Sequence, residues 1–186
     1  GGNLLATTDR RGVTLSEREF DRLGRQVIER SADSGEQLTL HDALEREVLA
    51  WHETTEQRRA FDRAGRPTSL RITDGTATWL AERTTYGEGE SDAAARNLRG
   101  RVVRIEDGAG ILERPRYGAF GEVVEDRRTL TAHPGRDPDW SGTVSLESDP
   151  HTTLQTFDAL GRRLRSLLAD GTRRTERFLR SGPSAS

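Results

Sequence analysis

Short runs of alternating apolar and polar residues recur along the chain. Leu38 and Leu40, Leu70 and Ile72, Val103 and Ile105, and Val144 and Leu146 are each separated by one polar residue. A period of two places apolar side chains on one face of a strand and polar ones on the other. The pattern therefore predicts short β-strands, and what lies between them predicts how they connect.

One phrase punctuates the runs: Phe-Asp-Arg-Leu-Gly-Arg at Phe20–Arg25, Phe-Asp-Arg-Ala-Gly-Arg at Phe61–Arg66 and Phe-Asp-Ala-Leu-Gly-Arg at Phe157–Arg162. Asp suits the first position of a type I turn, because its carboxylate accepts hydrogen bonds from N–H groups just ahead. Gly at the fourth position supplies the left-handed residue of a bulged hairpin. Asp21 with Gly24, Asp62 with Gly65 and Asp158 with Gly161 are accordingly predicted to reverse the chain, the aromatic closing one strand and the arginine opening the next.

A second reversal follows each copy. Gly24, Gly65 and Gly161 are succeeded after 11, 10 and 10 residues by Gly35 (Asp33-Ser34-Gly35), Gly75 (Asp74-Gly75) and Gly171 (Asp170-Gly171). Asp-Gly between extended runs is a strong hairpin signal. Strand, Asp-Gly turn, strand, Asp-x-x-Gly turn gives a module of about 20 residues, as the steps of 21 and 20 from Phe20 to His41 to Phe61 require. A fixed period in this range marks an array whose units bury their faces against their neighbours.

Weaker copies fill the gaps. His41–Arg46 keeps Asp42 but has Glu45 where glycine is expected, which predicts a different turn, since a non-glycine residue in the left-handed region costs about 1–2 kcal/mol. Glu106–Ile111 and Tyr117–Glu122 are degenerate copies. Two stretches break the rhythm: Ser91 and Asp92 ahead of Ala93–Ala95 predict an N-capped helical turn or two, and Thr131–Gly142 reads as an excursion loop. The expected organisation is a single segment: regular hairpins over 1–86, an irregular insertion with short helix and loop over 87–142, and further repeat over 143–186. The fold class is all-β, an elongated, curved ribbon of antiparallel hairpins with one short helical insertion.

Composition agrees. Hydrophobic and charged residues each make up 32% of the 186, a lean core suited to thin sheet architecture. All 29 basic residues are arginine, against 31 acids, so the net charge of −2 excludes a general polyanion-seeking field and leaves Arg–acid pairing across strands as a use for them. With no cysteine there is no disulfide framework and no thiolate metal site. No apolar run reaches about 18 residues and no signal peptide is recognisable, so the segment has no membrane contact of its own. Met is absent even at the start, and the chain reads as a segment of a larger polypeptide.

Chemistry is sparse. His41, His52, His133 and His151 lack partners at metal-ligand spacing, and no nucleophile elbow, phosphate-binding loop or paired-carboxylate constellation occurs. No catalytic residue, cofactor site or metal site is assigned. Asp137-Pro138 and Asp149-Pro150 both sit in loop sequence. The paired arginines lack interleaved aromatics, so nucleic acid is not an expected partner. Trp51, Trp79 and Trp140 are expected to pack between hairpins.

The Phe-Asp-x-x-Gly-Arg phrase with its partner Asp-Gly turn resembles the signature of rearrangement-hotspot (RHS), or YD-repeat, proteins. Leu80–Glu88, Asp92–Arg104 and Asp139–Gly142 further resemble the insertions in the RHS region of insecticidal toxin complex B components. The order also matches, from Asn97–Gly100 through Asp107–Gly110, Tyr117–Val123 and Trp140–Gly142 to Phe157; Glu106 for an aromatic and Gly118 for Asp are the departures. The resemblance implies a stretch of hollow shell wall around a toxic C-terminal effector region. Its implied partners are the rest of the shell, a C-type toxin component and, through the parent, a pore-forming A component, in a secreted assembly. The expectation is a non-catalytic structural segment; the alternative is an extracellular adhesion or carbohydrate-binding module.

Overall fold

The computed structural model of the chain describes residues 3–178, in two compact units. One takes the chain up to Arg83 together with Pro138–Thr143; the other takes Thr84–Asp137 and Val144 onward. Both are built from antiparallel strands, and among the described residues regular helix is limited to one turn of 3₁₀ helix at Gly87–Gly89.

In the first unit β1 (Ala6–Thr8), β2 (Thr14–Phe20), β3 (Gln26–Ser31), β4 (Gly35–His41), β5 (Glu47–His52), β6 (Thr55–Phe61), β7 (Pro67–Asp74) and the part of β8 (Ala77–Tyr86) up to Arg83 pair in chain order. The predicted alternation is visible in β7, where Leu70 and Ile72 are half-buried and Arg71 exposed. Trp51 lies across from Leu38, and Trp79 from Ile72, so each indole covers an aliphatic neighbour on the adjoining strand. Arginines pair with acids across the ladder at matched register: Arg18 with Glu29 at 2.9 Å and Arg30 with Glu36 at 2.5 Å. Such half-exposed pairs contribute about 0.2–1 kcal/mol each and act mainly on register.

In the second unit β9 (Val102–Asp107), β10 (Gly110–Tyr117), β11 (Val123–Leu130), β12 (His151–Phe157), β13 (Arg163–Leu167) and β14 (Arg173–Thr175) also pair in chain order. A small core forms here. Leu98, fully buried, packs with Ala93, Val103, Tyr117 and Val123. Gly87 permits this approach: a methyl group on it would lie 2.5 Å from Leu98 Cβ. Tyr117 locks the cluster by donating its hydroxyl to the Val102 carbonyl at 2.5 Å, while its N–H donates to the Arg96 carbonyl at 3.1 Å.

Two local expectations change. The helix predicted from Ser91 is a set of turns, with one i→i−4 bond from Arg96 N–H to Asp92 C=O at 3.0 Å and a tighter one from Asn97 N–H to Ala94 C=O at 3.2 Å. Asp92 and Asn97 both take left-handed conformations, φ 54° and 56°, which bracket the alanines and stop a helix from propagating. The strand expected at Val144 and Leu146 reduces to one bridge, Leu146 to Thr131, because Gly142 on one side and Ser148-Asp149-Pro150 on the other leave too few residues for a ladder.

Candidate functional site

The residues that carry the repeat converge on one device, a five-residue turn closed by a carboxylate. In Asp21–Arg25 the Gly24 N–H donates to the Asp21 carbonyl at 3.0 Å, and the Asp21 N–H to the Arg25 carbonyl at 2.9 Å. Asp21 Oδ1 accepts the N–H groups of Leu23 (2.8 Å) and Arg25 (3.0 Å), while Oδ2 receives Arg25 Nε at 2.6 Å. Asp62–Arg66 and Asp158–Arg162 repeat every one of these bonds. Gly24, Gly65 and Gly161 hold φ of 79°, 82° and 74°, the left-handed conformation the bulged reversal requires.

The same bonds hold Asp42–Arg46, contrary to the expectation of a different turn: Leu44 and Arg46 N–H both reach Asp42 Oδ1, and Glu45 is left-handed at φ 62°. As in the other copies, the arginine grips Oδ2 with two nitrogens, Arg46 Nε at 2.7 Å and Nη2 at 2.5 Å. The closed ring of bonds fixes the backbone and Glu45 follows it.

These bonds set the electrostatics. The carboxyls of Asp21, Asp62 and Asp158 are held below the ordinary aspartate value, first by the N–H of the arginine four residues on. Asp42 is lowered first by the Arg46 guanidinium. A further copy, Asp9–Val13, went unrecognised in the sequence because no aromatic precedes it; Asp9 Oδ1 accepts Arg11 N–H (2.8 Å) and Val13 N–H (2.9 Å), with the same consequence for its carboxyl. Its signal was the bare Asp-x-x-Gly spacing of Asp9 and Gly12.

The Asp-Gly positions divide. Asp74 and Ala77 pair across a two-residue connection in which Gly75 has φ 57°; Asp74 Oδ1 accepts the Thr54 hydroxyl at 2.7 Å from the neighbouring β5–β6 turn. Asp170 and Gly171 form the second half of a Leu168–Gly171 turn, with Thr172 N–H on Asp170 Oδ1 at 2.8 Å.

Successive turns on one edge also touch. Arg25 Nη1 donates to the Asp42 carbonyl at 3.0 Å, so the arginine of one turn holds the next. Arg46 lies over the Phe61 ring at 4.3 Å and against Gly65, where a methyl group would sit 3.0 Å from Nη1. In the second unit Arg162 lies over the Phe178 ring at 4.4 Å, and Arg101 takes the equivalent place over Tyr117 and against Gly121. The third turn position points outward, leaving Leu23, Leu44, Phe120 and Leu160 exposed.

The degenerate copy at Tyr117–Glu122 keeps the backbone bonds, Gly118 N–H to Glu122 C=O at 2.8 Å and Gly121 N–H to Gly118 C=O at 3.1 Å. Its carboxylate comes from the other end: Glu122 Oε2 accepts the Phe120 N–H at 3.1 Å. Gly118 is small because the Glu122 carboxylate fills the space its Cβ would need.

Residues Pro138–Thr143, read as loop, carry a built contact within the first unit. Asp139 Oδ1 accepts the Leu80 N–H (3.0 Å) and the Ser141 hydroxyl (2.7 Å), and the Trp140 N–H donates to the Leu80 carbonyl at 2.9 Å. Arg83 caps the Trp140 carbonyl, and Trp140 and Leu80 are both buried. Among the described residues no group of three or more His, Asp or Glu side chains is placed to hold a metal ion, and both Asp-Pro dipeptides lie in the 131–150 connection. The acids near the turns are engaged in holding backbone.

No protein-family model matches the chain, and no curated protein is significantly similar to it. Solved structures are. The structure of TcdB2–TccC3 without its hypervariable C-terminal region matches 91% of this chain at 23% identity with a TM-score of 0.78. That of TcdB2–TccC3–TEV matches 86% at 26% identity, TM-score 0.75. The Photorhabdus luminescens Tc holotoxin pore matches 85% at 26% identity, TM-score 0.75. The chain resembles the RHS shell region of these toxin components, and spans 8–9% of their length.

Proposed function

We propose that the chain is a non-catalytic wall segment of a secreted toxin-complex shell that encloses a toxic effector polypeptide. One observation carries this reading: consecutive turns are bonded into one another along an edge by Arg25 and Arg46, an arrangement that makes wall and leaves its carboxylates engaged. The likeness to toxin-complex components points the same way. Its partners would be the remaining shell and a C-type component, with a pore-forming A component reached through the parent, and neither nucleic acid nor membrane touched by this segment.

The test uses the full-length parent assembled with its C-type partner. Under limited proteolysis the effector should survive in the assembly and be digested when free. Gly24→Val together with Gly161→Val should lower the temperature at which protection is lost. Digestion of the effector at equal rates, assembled or free, would sink the reading. The alternative of a carbohydrate-binding module has one local feature in its favour, a groove of about 310 Å³ with Gln37, Trp51 and Gln57 among its lining residues. Glycan-array binding that disappears in Trp51→Ala would replace the wall reading with that one.

A further inference from the structure

Twice along the edge of turns an aromatic ring is covered in the same way. At Phe61 and at Phe178 the ring is covered by the arginine that ends the preceding turn, Arg46 at 4.3 Å and Arg162 at 4.4 Å. For Phe157 the preceding turn ends in Glu122. Glu122 reaches the expected place, since a methyl group on Gly161 would lie 2.8 Å from its Oε1, just as Arg46 Nη1 faces Gly65 at 3.0 Å. A carboxylate cannot stack on an aromatic face as a guanidinium does.

An open groove of about 500 Å³ lies beside Phe157 and Phe120, with Val124 also in its lining. Two carboxylates, Glu122 and Asp158, line it against one guanidinium, Arg116. Asp158 is bound to its own Arg162, whereas Glu122 forms no ion pair among the described residues. Phe120 is 72% exposed at the rim.

We infer that this groove binds an arginine side chain presented by an extended segment of a partner polypeptide, the guanidinium stacking on Phe157 and pairing with Glu122. The occupant follows from charge complementarity and from the molecule's own arrangement, in which arginine covers the corresponding ring twice. The inference does not depend on the container reading.

Titration of the isotopically labelled full chain with Ac-Ala-Arg-Ala-NH2, followed by NMR, tests it. The peptide should shift Phe157 ring and Glu122 signals saturably. The citrulline peptide, equal in shape but uncharged, should bind at least tenfold more weakly. Glu122→Gln should weaken the arginine peptide at least fivefold, and Glu122→Arg should abolish binding by placing a guanidinium on Phe157 from within. Equal binding of the citrulline peptide, shifts confined to other regions, or undiminished affinity in a folded Glu122→Gln chain would each overturn the assignment. The peptide comparison on the unaltered chain decides the matter even if a variant fails to fold.

Discussion

The two units solve the problem of a thin sheet differently. In the first, Leu80 and Trp140 are the buried large apolar residues among those described, and order comes from turns that repeat bond for bond and hold one another through Arg25 and Arg46. The second contains a true core: Leu98, Ala93, Val103 and Tyr117, built by the non-repeating stretch after Gly87. Its turns are also less regular, one of them closed by Glu122 from behind. Where burial supplies the stability, the repeat is free to vary; where burial is scarce, each copy keeps its full set of bonds.

Truncation should separate the units most sharply. Leu98→Ala removes a fully buried side chain and should cost about 2–5 kcal/mol. Leu38→Ala on β4 removes a half-buried one and should cost about 1 kcal/mol. Urea midpoints of the two variants measure both. Equal losses would mean that the first unit has as much core as the second.

Next in size are the left-handed positions. Around Gly24 the nearest outside atom to a new Cβ would be Asn3 Nδ2 at 3.6 Å, so Gly24→Val should cost only the backbone term, about 1–2 kcal/mol. Glu45→Gly runs the comparison backwards. It relieves a strained residue at φ 62° but adds glycine's unfolded-state freedom, about 0.5–1 kcal/mol, so a net gain of roughly 0.5 kcal/mol is expected. Thermal midpoints should move in opposite directions. A fall in both would show that Glu45 contributes something its backbone does not reveal.

These positions show why the strands and most reversals could be read from the chain. Asp at the first and Gly at the fourth position act on their own neighbours, so a short window contains the whole cause. The turn at Glu45 departs from its letters because bonds decide it: Asp42 and Arg46 fix the backbone whatever stands at the fourth position. Glu122 is hidden in the sequence for the same reason, as a carboxylate displaced by four residues from Asp's usual place. The docking of Asp139 and Trp140 on Leu80 had no local signal, because its cause lies 59 residues away. The helix expected at Ala93–Ala95 failed where propensity met two left-handed residues that the core around Leu98 demands.

If the Tyr117 copy is the ordinary turn with its carboxylate moved, it can be moved back. Gly118→Asp alone sets a second acid against Glu122, and Glu122→Arg alone leaves the Phe120 N–H without its acceptor. Together they rebuild the Asp21–Arg25 arrangement. The double variant should be more stable than the two single effects add up to, with a coupling of about 1 kcal/mol by a double-mutant cycle. Strict additivity would mean that the two closures are unrelated.

The smallest effect per residue should appear in acid. Asp9, Asp21, Asp42, Asp62 and Asp158 all titrate below their ordinary value in the folded chain, because backbone N–H groups and arginines favour the ionised form. The unfolded chain, with aspartates near 3.9, therefore binds more protons in the interval between the two values, and stability rises with pH there. The contribution is complete above about pH 4–5 and disappears as pH falls through the folded-state values. Urea midpoints should thus be insensitive to these groups between pH 5 and 7 and drop below pH 4, with a slope that shrinks in Asp21→Asn and in Asp62→Asn. Since the first unit has four of the five aspartates and the smaller store of buried apolar surface, probes in β2–β7 should report acid unfolding before those around Leu98. Simultaneous loss at both places would show that the core of the second unit is itself held by the turns.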